Sequence, residues 1–227
     1  MVFGTIGAPP ADNTLSKVFV GILAIVLVII VPYQISKVIE ISSSYSKYEY
    51  ATAPAQCANH IVVCGSLTTS RIAKFLNEIF HEDHDMTNIR VIFLCASEPT
   101  STLRQILANP FYAKRVTFMH GSLLASKDAA RAALGTAQAL FILSRKHGQA
   151  NLGISDHETY MLCMSAKRMA AHVPIFAQLH LSSSKQLLTS IGVEHIVCFS
   201  ELMYGMFAQN CITPGFSTLV YNLTTSR

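Results

Sequence analysis

Tryptophan is absent from the 227 residues, and only 13% of them carry charge, against about 25% in an average soluble domain. No run of Lys and Arg stands out and the net charge is a modest +4, so nucleic acid is not an expected partner. So little charge beside 51% apolar residues excludes a disordered chain and hints at a membrane segment. No Cys-x-x-Cys pair and no regular spacing links the six cysteines, Cys57, Cys64, Cys95, Cys163, Cys198 and Cys211. They sit mostly inside apolar runs and read as reduced, buried thiols of a cytosolic domain. Also missing are G-x-S-x-G, any Ser/His/Asp or Cys/His arrangement, an EF-hand pattern and an internal repeat. Nothing looks catalytic, and the chain is not expected to be an enzyme. Asn222-Leu223-Thr224 fits a glycosylation acceptor by chance, on the cytosolic side.

What is present begins with an apolar run, VFVGILAIVLVIIV, within Leu15–Ile35. The uninterrupted part is about 14 residues; with its flanks the segment reaches the ~20 that a helix needs to cross the hydrocarbon core. Lys17 can snorkel, Tyr33 suits the interface, and Pro32 is expected to kink or end the helix. A signal peptide fits poorly, because the run starts late and KVIEISSSYSKY offers no good cleavage site. A buried core helix is the other alternative, since a run with no polar face suits a core as well as a bilayer. Lys37 and Lys47 follow the run while only Asp12 precedes Lys17, which puts the C-terminal side in the cytoplasm.

Ser42 to Asn59, rich in Ser and Ala with Pro54 near its middle, reads as a linker. Strand and helix patterns then alternate. Strands are expected at His60–Cys64, Arg90–Cys95, Val116–His120, Ala139–Leu143, Pro174–Leu179 and Glu194–Phe199. Helices are expected at Thr69–Phe80, Thr102–Ala108, Lys127–Leu134, Asp156–Ala171, Glu201–Cys211 and Phe216–Leu223. Strands apolar throughout, separated by helices, imply a parallel sheet covered on both faces: an α/β, doubly wound, Rossmann-like fold preceded by one transmembrane helix.

The first strand-to-helix turn is CGSLTTS. A dinucleotide site wants G-x-G-x-x-G, and here Leu67 and Ser70 stand where Gly65 should be followed by two more glycines. No nucleotide is therefore expected, although Glu98 lies where a ribose-binding acid would sit. His81-Glu82-Asp83-His84-Asp85 is the densest group of potential metal ligands; a solvated polar loop is the plainer reading. Asp156-His157-Glu158 most simply opens a helix with acids near its positive end.

From His60 to Arg227 the chain resembles the first regulator-of-potassium-conductance (RCK) domain of big-conductance calcium-activated potassium (BK) channels. The residues that carry the likeness are HIVVCG, FLNEIFHEDHD…IRVIFL, GSLLASKDAARAAL and SELMYGMFAQNCITPGFSTLVYNL, and Val31-Pro32 with IxxxIEI resembles the end of the pore-lining helix. The resemblance divides the chain into a degraded filter-like stretch over 1–14, a pore-lining helix over 15–36, a linker over 37–59 and an RCK domain over 60–227. It implies a calcium site using Asp83 and Glu201, a pairing that spacing alone does not suggest. It implies partners as well: membrane lipid, a homotetrameric ring or assembly with full-length channel subunits, and potassium ions if the full pore is present. Late helices would pack between subunits. Two departures stand out. Arg90 and Thr117 replace the acids of the family's magnesium-linked site, so that site is expected to be lost. Gly4-Thr5-Ile6-Gly7-Ala8 is a poor echo of a potassium filter. The alternatives are a non-conducting, channel-derived interaction subunit and a membrane-anchored nucleotide-binding sensor.

Overall fold

The computed structural model describes residues 14–44, 48–49, 51–53, 59–81, 89–145 and 152–225. The filter-like stretch, Lys47, Pro54, Cys57 and Glu82 through Asp85 lie outside them. Two compact units result, Met1–Ser46 and Lys47–Arg227.

The first unit is one helix, α1 (Thr14–Ser44), with Pro32 inside it. Pro32 does not end the helix, which continues through the first residues expected to be linker. Proline costs one backbone bond but leaves the helix its remaining donors on either side. The apolar side chains of Val18 and Phe19 are exposed, as are nearly all of those from Ile22 to Ile35, and Lys37 Nζ lies 5.5 Å from the centroid of the Tyr33 ring. Side chains are described without a break only from Ile22 to Lys37, short of the ~20 residues a crossing needs. Among the described residues, no helix is long and apolar enough to cross a membrane.

The second unit is a six-stranded parallel sheet: β1 (His60–Gly65), β2 (Arg90–Cys95), β3 (Val116–His120), β4 (Ala139–Leu143), β5 (Ile175–Leu179) and β6 (His195–Cys198). Their order is β3-β2-β1-β4-β5-β6, the doubly wound arrangement expected. Register follows the apolar alternation. Val62 pairs with Ile92 and Leu140 and faces one side, with Cys64, Leu94 and Ile142 beside it; Val63 pairs with Phe93 and Phe141 and faces the other.

Helices α5 (Ser126–Arg131), α6 (Leu152–Met169) and α7 (Lys185–Ser190) cover the first face, contributing Ala129, Cys163, Ala166 and Leu188. Helices α2 (Thr69–Ile79) and α3 (Ser101–Ala108) cover the second over β1–β3. There Ile72 and Leu76, one turn apart, reach the sheet with Leu103. Thr100 caps α3 through Leu103 N–H, and Asn109 with Pro110 opens the short α4 (Pro110–Ala113). Each fully buried Phe93, Leu94 or Leu140 contributes roughly 1.5–3 kcal/mol.

On the second face Phe75 of α2 reaches Phe141 of β4 edge-on at 5.8 Å, and among the described residues no helix covers β5 and β6 beyond it. Phe141, Phe176 and His195 stack across three strands, with ring centroids 4.9 and 4.5 Å apart, and His195 and Val197 remain exposed. The last helices, α8 (Phe199–Ile212) and α9 (Phe216–Thr224), bury none of their residues. They meet at Gly215, whose φ of +92° makes the turn.

Four of the five described cysteines are buried as expected; Cys211 on α8 is exposed, and all five are free. Helix α6 begins at Leu152, so Asp156 does not open it. Asp156 lies within α6, buried, and accepts the amides of His180 and Leu181 at 2.9 Å each, tying the helix to the end of β5. A helix-opening acid and a buried acceptor look alike in sequence; the partner amides, more than twenty residues away, decide.

Candidate functional site

A cleft of about 640 Å³ lies at the carboxyl ends of β1, β2 and β4, where the strand order switches direction. Ligands of open parallel sheets bind in that crevice. Its floor is made by the turn after β1. Gly65 has φ +103°, and a Cβ there would stand 2.2 Å from the Leu143 carbonyl oxygen. Only glycine lets β1 and β4 approach so closely. Leu67, where a second glycine would expose backbone to a pyrophosphate, is turned into the core below α2. Arg71, on α2, donates from Nη1 to the carbonyls of Ser66 and Ser144, and burial lowers its pKa.

On the far wall Ser144 Oγ lies 3.0 Å from His180 Nε2, and Arg145 pairs with Glu158 at 2.9 Å, both half-exposed. Glu98, beyond β2, pairs loosely with Arg104 at 3.6 Å. Two thiols lie beneath. Cys64 is pushed well above the ordinary thiol range by burial first and then by Cys163 and Cys95. Cys163 is pushed up to about 12, again by burial, with Lys167 pulling slightly the other way. Both are held as neutral thiols and behave as core residues rather than nucleophiles.

The residues expected at the metal site are not brought together by the described part of the chain. Asp83 lies outside it. Glu201 sits in the first turn of α8, where its Oε2 accepts from Lys185 Nζ on α7 at 2.9 Å. That bond raises the Lys185 pKa, through the hydrogen bond first and the carboxylate's charge second. No cluster of three or more metal-ligating side chains occurs among the described residues. Arg90 opens β2, and Thr117 lies in β3 with its register partner Ile92, so one candidate magnesium position carries a cation and the other a hydroxyl.

Sequence reading missed Lys185, because the short α7 that carries it buries a single leucine and has no clear periodicity. It also missed Arg71, whose second carbonyl partner, Ser144, is brought in by the strand order and not by local pattern.

A parallel sheet with its cleft at the topological switch, flanked by helices whose apolar faces remain open, defines a Rossmann-like domain of the kind built into larger assemblies. Comparison with known proteins makes this particular. Residues 56–177 match the family described as the calcium-activated potassium channel slowpoke-like RCK domain, and 194–227 match the calcium-activated BK potassium channel alpha subunit. The mouse potassium channel subfamily T member 1 is 30% identical over 97% of this chain. The calcium-activated potassium channel slo-1 of Caenorhabditis elegans is 32% identical over 74%. Among solved structures, the human SLO3 gating ring superposes with a TM-score of 0.60 at 26% identity, over 74% of this chain and 29% of that one. The chain belongs to the slowpoke-like calcium-activated potassium channel family, and the sheet unit is an RCK domain of that family. It spans 18% and 15% of the two curated relatives.

Proposed function

We propose that this chain is the gate-proximal part of a calcium-activated potassium channel subunit, in which the RCK domain reads calcium and passes the response through residues 45–59 to α1. The observation that carries the reading is the pairing of an RCK sheet unit with a preceding helix whose central stretch, Ile22–Val31, is apolar on every face. A helix with no polar side is not a surface helix. We assign α1 to the membrane, with Lys37 and Tyr33 at the cytosolic interface and the RCK domain in the cytosol. The open faces of α8, α9 and the β5–β6 sheet support assembly of this domain with further channel subunits, as a homotetrameric ring or beside full-length subunits.

Calcium is the proposed ligand, held by Asp83 and Glu201. Two carboxylates suit a hard cation, which takes the remaining oxygens from carbonyls and water. Calcium must bind the open arrangement more tightly than the closed one, or it shifts nothing. The nucleotide-sensor alternative meets Leu67 turned into the core where a second glycine is needed. Calorimetric titration with calcium tests the assignment: Asp83→Ala and Glu201→Ala are each expected to weaken binding at least about tenfold, the loss of a charged ligand costing over 1.4 kcal/mol. Unchanged titrations in both variants would remove the site.

A further inference from the structure

One edge of the sheet unit carries a partly buried ion pair with a partner on each side. Asp128 and Arg131 sit one turn apart on α5, Oδ1 to Nη1 2.8 Å, with side chains only 17% and 14% exposed. The other carboxylate oxygen of Asp128 accepts the Ser122 amide at 2.9 Å. Ser122 and Gly121 line the cleft, and a Cβ at Gly121 would stand 2.5 Å from that same oxygen, so the cleft rim is seated directly on the carboxylate.

On its opposite side the guanidinium faces the segment that follows α1. Nε and Nη2 donate to the Ala51 carbonyl at 3.2 and 3.0 Å, Nη2 also to the Tyr48 carbonyl at 3.3 Å, and Nη1 to the His120 carbonyl at 3.4 Å. Backbone bonds complete the attachment: His120 N–H to the Tyr48 carbonyl at 2.9 Å and Ala53 N–H to the Arg131 carbonyl at 2.8 Å. The Tyr48 ring stands edge-on to Phe118 at 5.5 Å.

We propose that the Asp128–Arg131 pair is a positioning latch that makes the cleft rim and the segment after α1 one mechanical piece. Displacing Gly121 or Ser122 moves the carboxylate, and the guanidinium carries that movement to the carbonyls of Tyr48 and Ala51. Only arginine has a planar fork with enough donors to hold a carboxylate and three carbonyls together. Lysine at 131 keeps the charge and the Asp128 contact but cannot bridge to the segment. The latch rests on this chain's geometry alone; its use as a transmitter of ligand binding rests on the function proposed above.

Amide hydrogen exchange of the full chain in detergent, without calcium, decides the latch separately from the calcium reading. In Arg131→Lys, exchange at His120 and Ala53 is expected to rise about tenfold, the worth of one charge-assisted hydrogen bond, with Ser122 unchanged. In Asp128→Asn all three amides are expected to rise. A purely structural role would instead raise exchange across β1 and β2 by the same factor. Wild-type exchange at His120 and Ala53 in Arg131→Lys, or a uniform rise through the sheet, would overturn the latch. Should Asp128→Asn not fold, Arg131→Lys decides alone, because it leaves the ion pair in place.

Discussion

Cys64 and Cys163 are neutral in the folded chain far above the pH at which free thiols ionise, and this gives stability a definite dependence on alkali. An unfolded thiol ionises near pH 8.5 while the folded one keeps its proton, so the unfolded state binds fewer protons and stability falls as pH rises above about 8.5. Each thiol is expected to remove about 1.4 kcal/mol per pH unit between there and its folded value, about 12 for Cys163. Unfolding midpoints at pH 8, 9 and 10 check this. A flat profile, or rapid maleimide labelling of Cys64 in the folded chain while exposed Cys211 reacts no faster, would contradict it. Gly65→Ala is expected to cost at least about 2 kcal/mol, because a side chain at φ +103° meets a backbone oxygen that cannot turn aside; thermal unfolding of the chain in detergent measures it. At this scale the sequence was only partly legible. Gly65 stands out in HIVVCGSL because a lone glycine after an apolar strand marks a turn. Asp156 does not, since a buried acceptor and a helix-opening acid share the same local pattern.

The elements were far more legible than their sites. β1 and β2 announce themselves through nearly unbroken Val, Ile, Leu and Phe, since a parallel strand buried on both faces has no polar side to show. β4, β5 and β6 are buried on one face in alternation and still read as strands from their short apolar runs. Helix α7 escaped because one buried Leu188 in six residues makes no period. The attachment of Tyr48 and Ala51 escaped for a different reason: they are fastened by their carbonyls, which every sequence has, and the side chain that fastens them lies some eighty residues away. What reads as a linker by composition is in part a docked edge.

The Lys185–Glu201 pair between α7 and α8 yields a prediction at the same scale. A cation bound at Glu201 must first displace the ammonium. Lys185→Ala is therefore expected to tighten calcium binding about threefold, the modest gain that an exposed pair allows. Calorimetry measures the change, and weaker binding in that variant would show that Lys185 does not compete for the carboxylate. The pair itself fades only as pH rises past the raised pKa of Lys185, so this competition persists at neutral pH.

For the molecule as a whole, the family likeness and the open apolar faces point the same way. Helices α8 and α9 expose Leu202, Phe207, Ile212 and Leu219, and at the β6 end of the Phe141–Phe176–His195 stack His195 and Val197 are exposed. Contiguous exposed apolar side chains on a stable protein mark interaction surfaces. Phe207→Ser is expected to shift the solubilised chain toward monomer by light scattering, with the sheet intact by circular dichroism; an unchanged mass would show that this face does not assemble. The proposed signalling depends on a point upstream of all of this, that α1 lies within the bilayer and gives the RCK domain something to move. Alkaline carbonate extraction of cell membranes, followed by flotation, tests it most directly. The chain is expected to float with the lipid, with its RCK domain open to protease from the cytosolic side; a chain released into the supernatant would contradict the account.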